Sequence, residues 1–239
     1  MTTRNEVLRE LGIAPLWRLR DRNHTDAPRG GENADQPRDS NGDPRLARIA
    51  ALALDALADD VAQCRACRLC GTRKRTVPGV GVADAAWMFV GEAPGAEEDA
   101  QGEPFVGAAG RLLDNMLAAL GLTREHGVFI ANVLKCRPSG NRTPAPLEVD
   151  ACRPYLDRQI ELVGPGLIVA LGKSAACTLL DVDAPVASLR NRVHRYRGRP
   201  LIVTYHPAYL LRTPADKAKA WEDLLFARRT LRESSPRPV

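Results

Sequence analysis

No stretch of this chain approaches the roughly 18 uninterrupted apolar residues that a helix needs to cross a bilayer, although its hydrophobic fraction is 44%. The apolar residues are therefore available for a soluble core. The first residues, MTTRNEVLRE, lack the apolar stretch of a secretory signal. A cytoplasmic location follows as the expectation, and the six cysteines are then buried thiols or metal ligands rather than disulfides. Residues 21–44 have almost no large apolar side chain and many Pro, Gly, Asn and Asp. They cannot bury enough surface to offset the entropy of ordering, so they are expected to form a disordered linker. A working nucleotide loop is missing too. Gly172-Lys173-Ser174 ends like one, but the upstream glycine, Gly166, is one residue out of register and strand-like residues intervene. Nucleoside triphosphate chemistry is excluded on that ground.

What remains is a folded domain expected over residues 45–232. It is preceded by a short amphipathic segment at 1–20 and the linker, and followed by a flexible tail at 233–239. An alanine-rich helix is expected across 45–63. Four short apolar runs follow, Trp87–Gly91, Val128–Val133, Leu167–Leu171 and Leu201–Tyr205, apolar throughout and mostly β-branched, as in strands covered on both faces. Helical patterns separate them: Leu112 to Leu120 closed by Gly121, then Pro146–Val163, Lys173–Leu180, and Pro214 to about Leu231. The alternation predicts an α/β fold, a three-layer α/β/α sandwich with a central four-stranded parallel sheet. Ligands of such sheets bind beyond the carboxyl ends of the strands.

Three polar segments fall at those ends. After the first run comes Gly91-Glu92-Ala93-Pro94-Gly95, whose turn brings backbone close to the cleft, followed by the acids Glu97, Glu98 and Asp99, which would repel a phosphate. Phe105 is a lone aromatic in the loop Pro104–Gly107, either a core plug or a stacking partner for a base. Asn132 ends the second run, where a carboxamide offers a donor and an acceptor or simply caps. His206 opens the loop after the fourth.

The cysteines form a second constellation. Cys64 and Cys67 make a bidentate clip, with Cys136 past the second strand and Cys152 in the following helix. Four thiolates suit tetrahedral zinc or a [4Fe–4S] cluster, and spacing does not tell them apart. Cys70 extends the clip to C-x2-C-x2-C, and Cys177 reads as core. A cluster here would hold the basic segment Lys135, Arg137, Arg142 and Arg153 in place. The net charge of +5 is compatible with nucleic acid without proving it. Arg190, Arg192, Arg195, Arg197 and Arg199 fall in one short segment that is either a solvated hairpin or an edge that tracks phosphates.

The pieces CRACRLC, GEAPGAEEDAQGEPFVGAAGRLL, VFIANVLKCRPSGNRTP, ACRPYL, LIVALGKSAA and YHPAYLLR, in that order from Cys64 to Arg212, together resemble the iron–sulfur uracil-DNA glycosylases, family 4 of that superfamily. The resemblance implies hydrolysis of the N-glycosidic bond of flipped-out uracil in single- and double-stranded DNA. It also implies a [4Fe–4S] cluster on Cys64, Cys67, Cys136 and Cys152, with Cys70 unligated; since a hydrolysis gives the cluster no evident chemical role, a structural one is expected. Phe105 would stack on the base, and Asn132 would read its polar edge within a pocket shaped by Gly91, Ala93 and Gly95. A mismatched cytosine would be rejected by about 10⁴-fold. His206 would stabilise charge growing on uracil O2. Tyr209, Leu210 and Leu211 would fill the vacated stack, while Arg212, Arg137, Arg142, Arg190 and Arg192 hold phosphates.

The chain departs from better-known uracil glycosylases at two positions. Ala93 stands where they carry an aspartate, and Gly95 where they carry the side chain that bars thymine's methyl. Glu98 is the first candidate to fill one of these roles, as water organiser or wall, and Glu92 the second. A glycosylase for another deaminated base and a non-catalytic nucleic-acid-binding module stay as rival readings. Outside the resemblance, Leu8, Leu11, Ile13 and Trp17 are similar in spacing to the N-terminal peptide of the psi subunit of the replicative clamp loader. Residues 1–20 are thus either a docking peptide for a replication protein or a helix packed on its own domain. A monomer is expected.

Overall fold

A computed structural model describes residues 43–234; the amphipathic segment, nearly all of the expected linker and the last five residues of the tail lie outside them. Six strands form one sheet in the order β1-β3-β2-β4-β6-β5. The four central strands, β2 (Trp87–Gly91), β3 (Val128–Asn132), β4 (Leu167–Leu171) and β6 (Arg199–Thr204), are mutually parallel. Two antiparallel edges were not anticipated: β1 (Val80–Gly81) and β5 (His194–Tyr196). Both are too short to carry a hydrophobic period, and neither contains a fully buried residue. At Gly81 a β-carbon would lie 2.2 Å from the Val128 carbonyl oxygen, so only glycine lets the edge close.

Alternation along each central strand sends successive side chains to opposite faces. Met88, Val90, Ile168, Ala170, Leu201 and Val203 pack on one side with Leu156 and Ile160 of α5 (Pro146–Val163) and Ala175 and Leu179 of α6 (Gly172–Leu180). Trp87, Phe89, Leu167, Val169 and Ile202 pack on the other with Leu113 and Leu117 of α4 (Ala108–Ala119) and Leu224 of α9 (Lys217–Ser234). Helices on both faces make the three-layer α/β/α sandwich, and they explain why the strands read as continuous apolar runs.

The expected helix over 45–63 is two helices, α1 (Pro44–Ala51) and α2 (Leu54–Gln63). Leu52 turns extended between them, and the Arg158 guanidinium donates twice to its carbonyl oxygen, at 2.9 and 2.8 Å. That long-range bond breaks a stretch whose local propensity is helical. Ile49, Leu57 and Val61 then pack on Tyr155 of α5. The remaining helices are the short α3 (Ala96–Gln101), α7 (Val186–Leu189) and α8 (Pro207–Arg212). Among the described residues no helix is long and apolar enough to cross a membrane.

The chain steps from β2 to β3 on one side of the sheet and then returns to lay β4 on the other side of β2. The crevice above the carboxyl ends of β2 and β4 is therefore the switch point where such sheets bind ligands.

Candidate active site

Gly91 and Asn132 are register partners at the carboxyl ends of β2 and β3. A β-carbon on Gly91 would lie 2.4 Å from Asn132 Oδ1 and 2.6 Å from the Phe105 ring, so both side chains converge over its bare α-carbon. Asn132 is buried, 2% exposed, and its backbone carbonyl accepts from Lys135 Nζ at 2.8 Å. Phe105 is buried too and stacks on His206, with ring centroids 5.6 Å apart. Its φ of 55° is left-handed, a conformation that costs a non-glycine residue on the order of 1–3 kcal/mol and persists only where the surroundings impose it.

One of those surroundings is Glu98. Its Oε2 accepts from Gly95 N at 3.0 Å, and its Oε1 accepts from Val106 N at 3.1 Å and Gly107 N at 3.4 Å. A β-carbon on Gly95 would be 2.7 Å from Glu98 Oε2. The space that Gly95 leaves open thus holds the Glu98 carboxylate, already engaged by three backbone N–H groups.

His206 caps α8. Its Nδ1 accepts from Ala208 N at 3.1 Å, which places the proton of the neutral ring on Nε2. Burial, helped by the positive charge of Arg212, lowers its pKa to about 4. Gly172, at φ 87°, lets the histidine approach: a β-carbon there would be 2.8 Å from that of His206. His206, Glu92, Leu171, Gly172, Lys173 and Ser174 line a cleft of about 700 Å³. The Glu92 carboxyl is pushed up by burial, opposed by a hydrogen bond from Ser174. The Gly172–Ser174 junction, set aside as a failed nucleotide loop, thus positions both His206 and Glu92. Its signal was its place at a strand's carboxyl end. Phe105 and Asn132 do not line this cleft; Phe105 adjoins it through its ring contact with His206, and Asn132 lies beside Phe105 over Gly91. Cys177, read as core, also reaches the cleft wall. Ala93 is half-buried and packs against the core beside α5 and α6.

The cysteines meet as well. Cys64, Cys67, Cys70, Cys136 and Cys152 line one enclosed cavity with Arg73, Lys135 and Tyr155. Among the described residues no three His, Cys, Asp or Glu side chains are grouped to hold a metal ion. The sulfurs instead surround the cavity and meet N–H donors: Arg73 Nη1 lies 3.2 Å from Cys136 Sγ, Lys135 N 3.2 Å from Cys152 Sγ and Arg45 Nη2 4.0 Å from Cys64 Sγ. Burial pushes the Cys152 thiol up to about 12 and raises Cys67 and Cys136. At Cys64 burial is outweighed by hydrogen bonds from Ala66, Tyr155 and Arg45, and the pKa falls. Two guanidinium groups and one backbone N–H thus face the sulfurs, donors that would suit an anionic group held by thiolates.

Several residues of the basic segment and of the expected DNA contacts are engaged within the protein itself. Lys135 is fully buried: Nζ donates to Asn132 O at 2.8 Å and Gln159 Oε1 at 2.6 Å, so it braces the base site from inside. Arg190 turns inward to Asp223 Oδ2 at 2.7 Å, with its guanidinium over the Tyr205 ring. Leu210 is 1% exposed; full burial of a leucine favours folding by about 2 kcal/mol, which makes it core. The Tyr209 hydroxyl donates to Asp216 Oδ2 at 2.6 Å and its ring stacks on Tyr205. Leu211 alone of that trio is well exposed, at 43%, followed by exposed Arg212.

Arg192 is exposed, and Arg137 is half-buried with Nε on Asn141 Oδ1 at 2.7 Å. Arg142 is exposed but grips Glu148 with two bonds, at 2.9 and 2.6 Å. The arginine segment is the antiparallel β5–β6 hairpin. Because β6 runs parallel to β4, Arg195, Arg197 and Arg199 sit toward the amino end of the sheet, away from His206, and Arg197 pairs with Asp157 at 2.6 Å.

A crevice at the switch point of a parallel sheet, with an aromatic ring, a buried carboxamide and a neutral histidine, defines a site for a flat polar ring. A family model described as the uracil DNA glycosylase superfamily matches residues 78–225, and the chain belongs to that superfamily. Within it, the chain falls with the type-4 enzymes. It is 47% identical over 169 residues to the type-4 uracil-DNA glycosylase of Archaeoglobus fulgidus, covering 67% of this chain and 84% of that one. With the type-4 enzyme of Thermotoga maritima it shares 42% over 168 residues, 70% and 87% of the two chains. A type-5 uracil-DNA glycosylase of Thermus thermophilus is 32% identical over 155 residues, 55% and 68% of the two chains.

Proposed function

We propose that this protein excises uracil from DNA in base excision repair, hydrolysing the N-glycosidic bond of a flipped-out nucleotide to leave an abasic site. The observation that carries the reading is His206 with its proton on Nε2, stacked on Phe105, whose ring converges with the buried Asn132 carboxamide over Gly91. The base lies on the Phe105 ring, and Asn132 pairs with its polar edge. As the C1′–N1 bond breaks, the electron pair passes to uracil, and the Nε2–H of His206 donates to the negative charge growing on O2. Water adds to C1′ and loses a proton; the uracil anion takes one up. Glu92 facing the cleft is the water-organising group, and Glu98 over Gly95 is the wall against thymine's methyl. Leu211 enters the vacated stack, and Arg212, Arg192, Arg137 and Arg142 lie along the phosphates.

Cys64, Cys67, Cys136 and Cys152 hold a [4Fe–4S] cluster, with Cys70 unligated. Hydrolysis moves no electrons between molecules, so the group's contribution is cohesion: it ties the clip before the sheet to the loop after β3 and to α5. Residues 1–20 dock a replication protein; a pull-down with that peptide capturing none would remove this part.

The test is incubation of labelled single- and double-stranded oligonucleotides carrying uracil, mismatched thymine or hypoxanthine, followed by alkaline cleavage of abasic sites. Cleavage at uracil in both substrates is expected; none at uracil overturns the proposal. Cutting at hypoxanthine in preference to uracil would reassign the base.

A further inference from the structure

The Phe105 ring can stack on a base only while its backbone stays in the left-handed conformation, and the structure holds that backbone from two sides. On the N–H side stands Glu98, already described. On the carbonyl side stands Arg124, from the loop between α4 and β3. Its Nη1 donates to Pro104 O at 2.7 Å and its Nη2 to Phe105 O by a short hydrogen bond. Its Nε donates to Asp114 Oδ1 at 2.7 Å, which orients the fork from α4. One planar guanidinium thus reads two successive carbonyls and one carboxylate, a use of the fork that a lysine cannot reproduce. Gly110 completes the clamp, since a β-carbon there would overlap Phe105 O at 1.7 Å.

The left-handed turn reverses the direction of the Phe105 carbonyl. In the ordinary extended or helical conformations it would leave Arg124, and the ring would leave Gly91 and His206. We propose that Arg124, oriented by Asp114, is a positioning residue for base recognition: it holds the backbone of Phe105 so that the ring presents a preformed stacking face. The inference rests on the uracil-excision reading for its substrate. Charge-assisted bonds on both sides of one short segment make the face rigid before the base arrives, which lowers the entropic cost of binding.

The experiment compares wild type, Arg124→Ala, Arg124→Lys, Phe105→Ala and the double variant Arg124→Ala/Phe105→Ala. It reads kcat/KM on a single-stranded uracil oligonucleotide, inhibition by free uracil, and amide hydrogen exchange at Val106 and Gly107. Arg124→Ala should lower kcat/KM and raise the uracil inhibition constant, each by roughly tenfold, the scale of a misaligned base stack. Arg124→Lys should fall between, exchange at Val106 and Gly107 should accelerate, and the double variant should be no worse than Phe105→Ala alone.

Unchanged uracil inhibition in folded Arg124→Ala, or losses that multiply in the double variant, would overturn the proposal. If Arg124→Ala does not fold, Arg124→Lys carries the same comparison. Absence of uracil release by wild type would strike the functional reading, while the amide exchange still decides whether Arg124 holds the segment.

Discussion

His206 Nδ1 accepts the backbone N–H of Ala208 at 3.1 Å. The bond makes the ring an acceptor at one nitrogen, so in its neutral form the other must carry the proton. The cap that starts α8 therefore also sets the tautomer that faces the base site.

A stability consequence follows. The His206 pKa of about 4 in the folded chain lies below its ordinary 6.5. Between those values the unfolded chain takes up a proton that the folded chain refuses. Stability from this residue is therefore full above pH 6.5 and is lost as pH falls toward 4, by on the order of 2 kcal/mol. Urea melts at pH 7.5 and 4.5 should show that drop in wild type and a smaller one in His206→Gln. The same variant should lose about 10²–10³-fold in kcat at neutral pH, the cost of removing one charge-stabilising donor.

Glu92 and Glu98 should separate by kinetics. Glu92→Gln should lower kcat by about 10²-fold with little change in KM, since it removes a group that acts on water. Burial raises the Glu92 pKa, so the wild-type acid limb should lie above the ordinary carboxyl value and vanish in the variant. Glu98→Gln should lower the melting temperature and permit measurable attack on mismatched thymine, because it loosens the carboxylate over Gly95 and the segment holding Phe105.

Among the arginines, Arg190→Ala should cost about 3 kcal/mol of stability, because it strands the buried Asp223 carboxylate. Its DNA affinity should keep the wild-type salt dependence. Arg212→Ala should leave stability unchanged and reduce the slope of log K against log salt by about 1. Chemical denaturation and salt-titrated DNA binding measure the two; the reverse pattern would return Arg190 to the DNA face.

Cys136→Ser should lose iron, broad visible absorption and melting temperature, and should bind DNA more weakly because the loop after β3 is released. Cys70→Ala should keep its iron. Iron analysis and absorption spectra of both proteins settle the ligand set, and a folded, DNA-binding Cys136→Ser protein would remove the structural role of the cluster.

Much of the molecule was legible in one dimension because its signals are local. The runs at Trp87–Gly91 and Leu167–Leu171 are strands to the residue, since burial on both faces demands unbroken apolar sequence. Pro146–Val163 is a helix over its expected span. Gly91, Asn132 and His206 announced themselves by standing at or just past strand ends, and Phe105 as a lone aromatic in a Gly-containing loop; the fold then gathers them. The edge strands, the break at Leu52 and the inward turn of Arg190 carry no such signal. Each depends on a partner far along the chain: Val128 for Gly81, Arg158 for Leu52, Asp223 for Arg190.

The order of strands and helices, the pairing of cysteines with a base-reading crevice and the family itself follow from the sequence, because hydrophobic period and motif order are properties of the chain alone. Which acid faces the cleft and which props a loop, which arginine meets solvent and which leucine is core were decided by tertiary structure. Those outcomes depend on desolvation and hydrogen bonding between residues that only folding brings within 3 Å or so of each other.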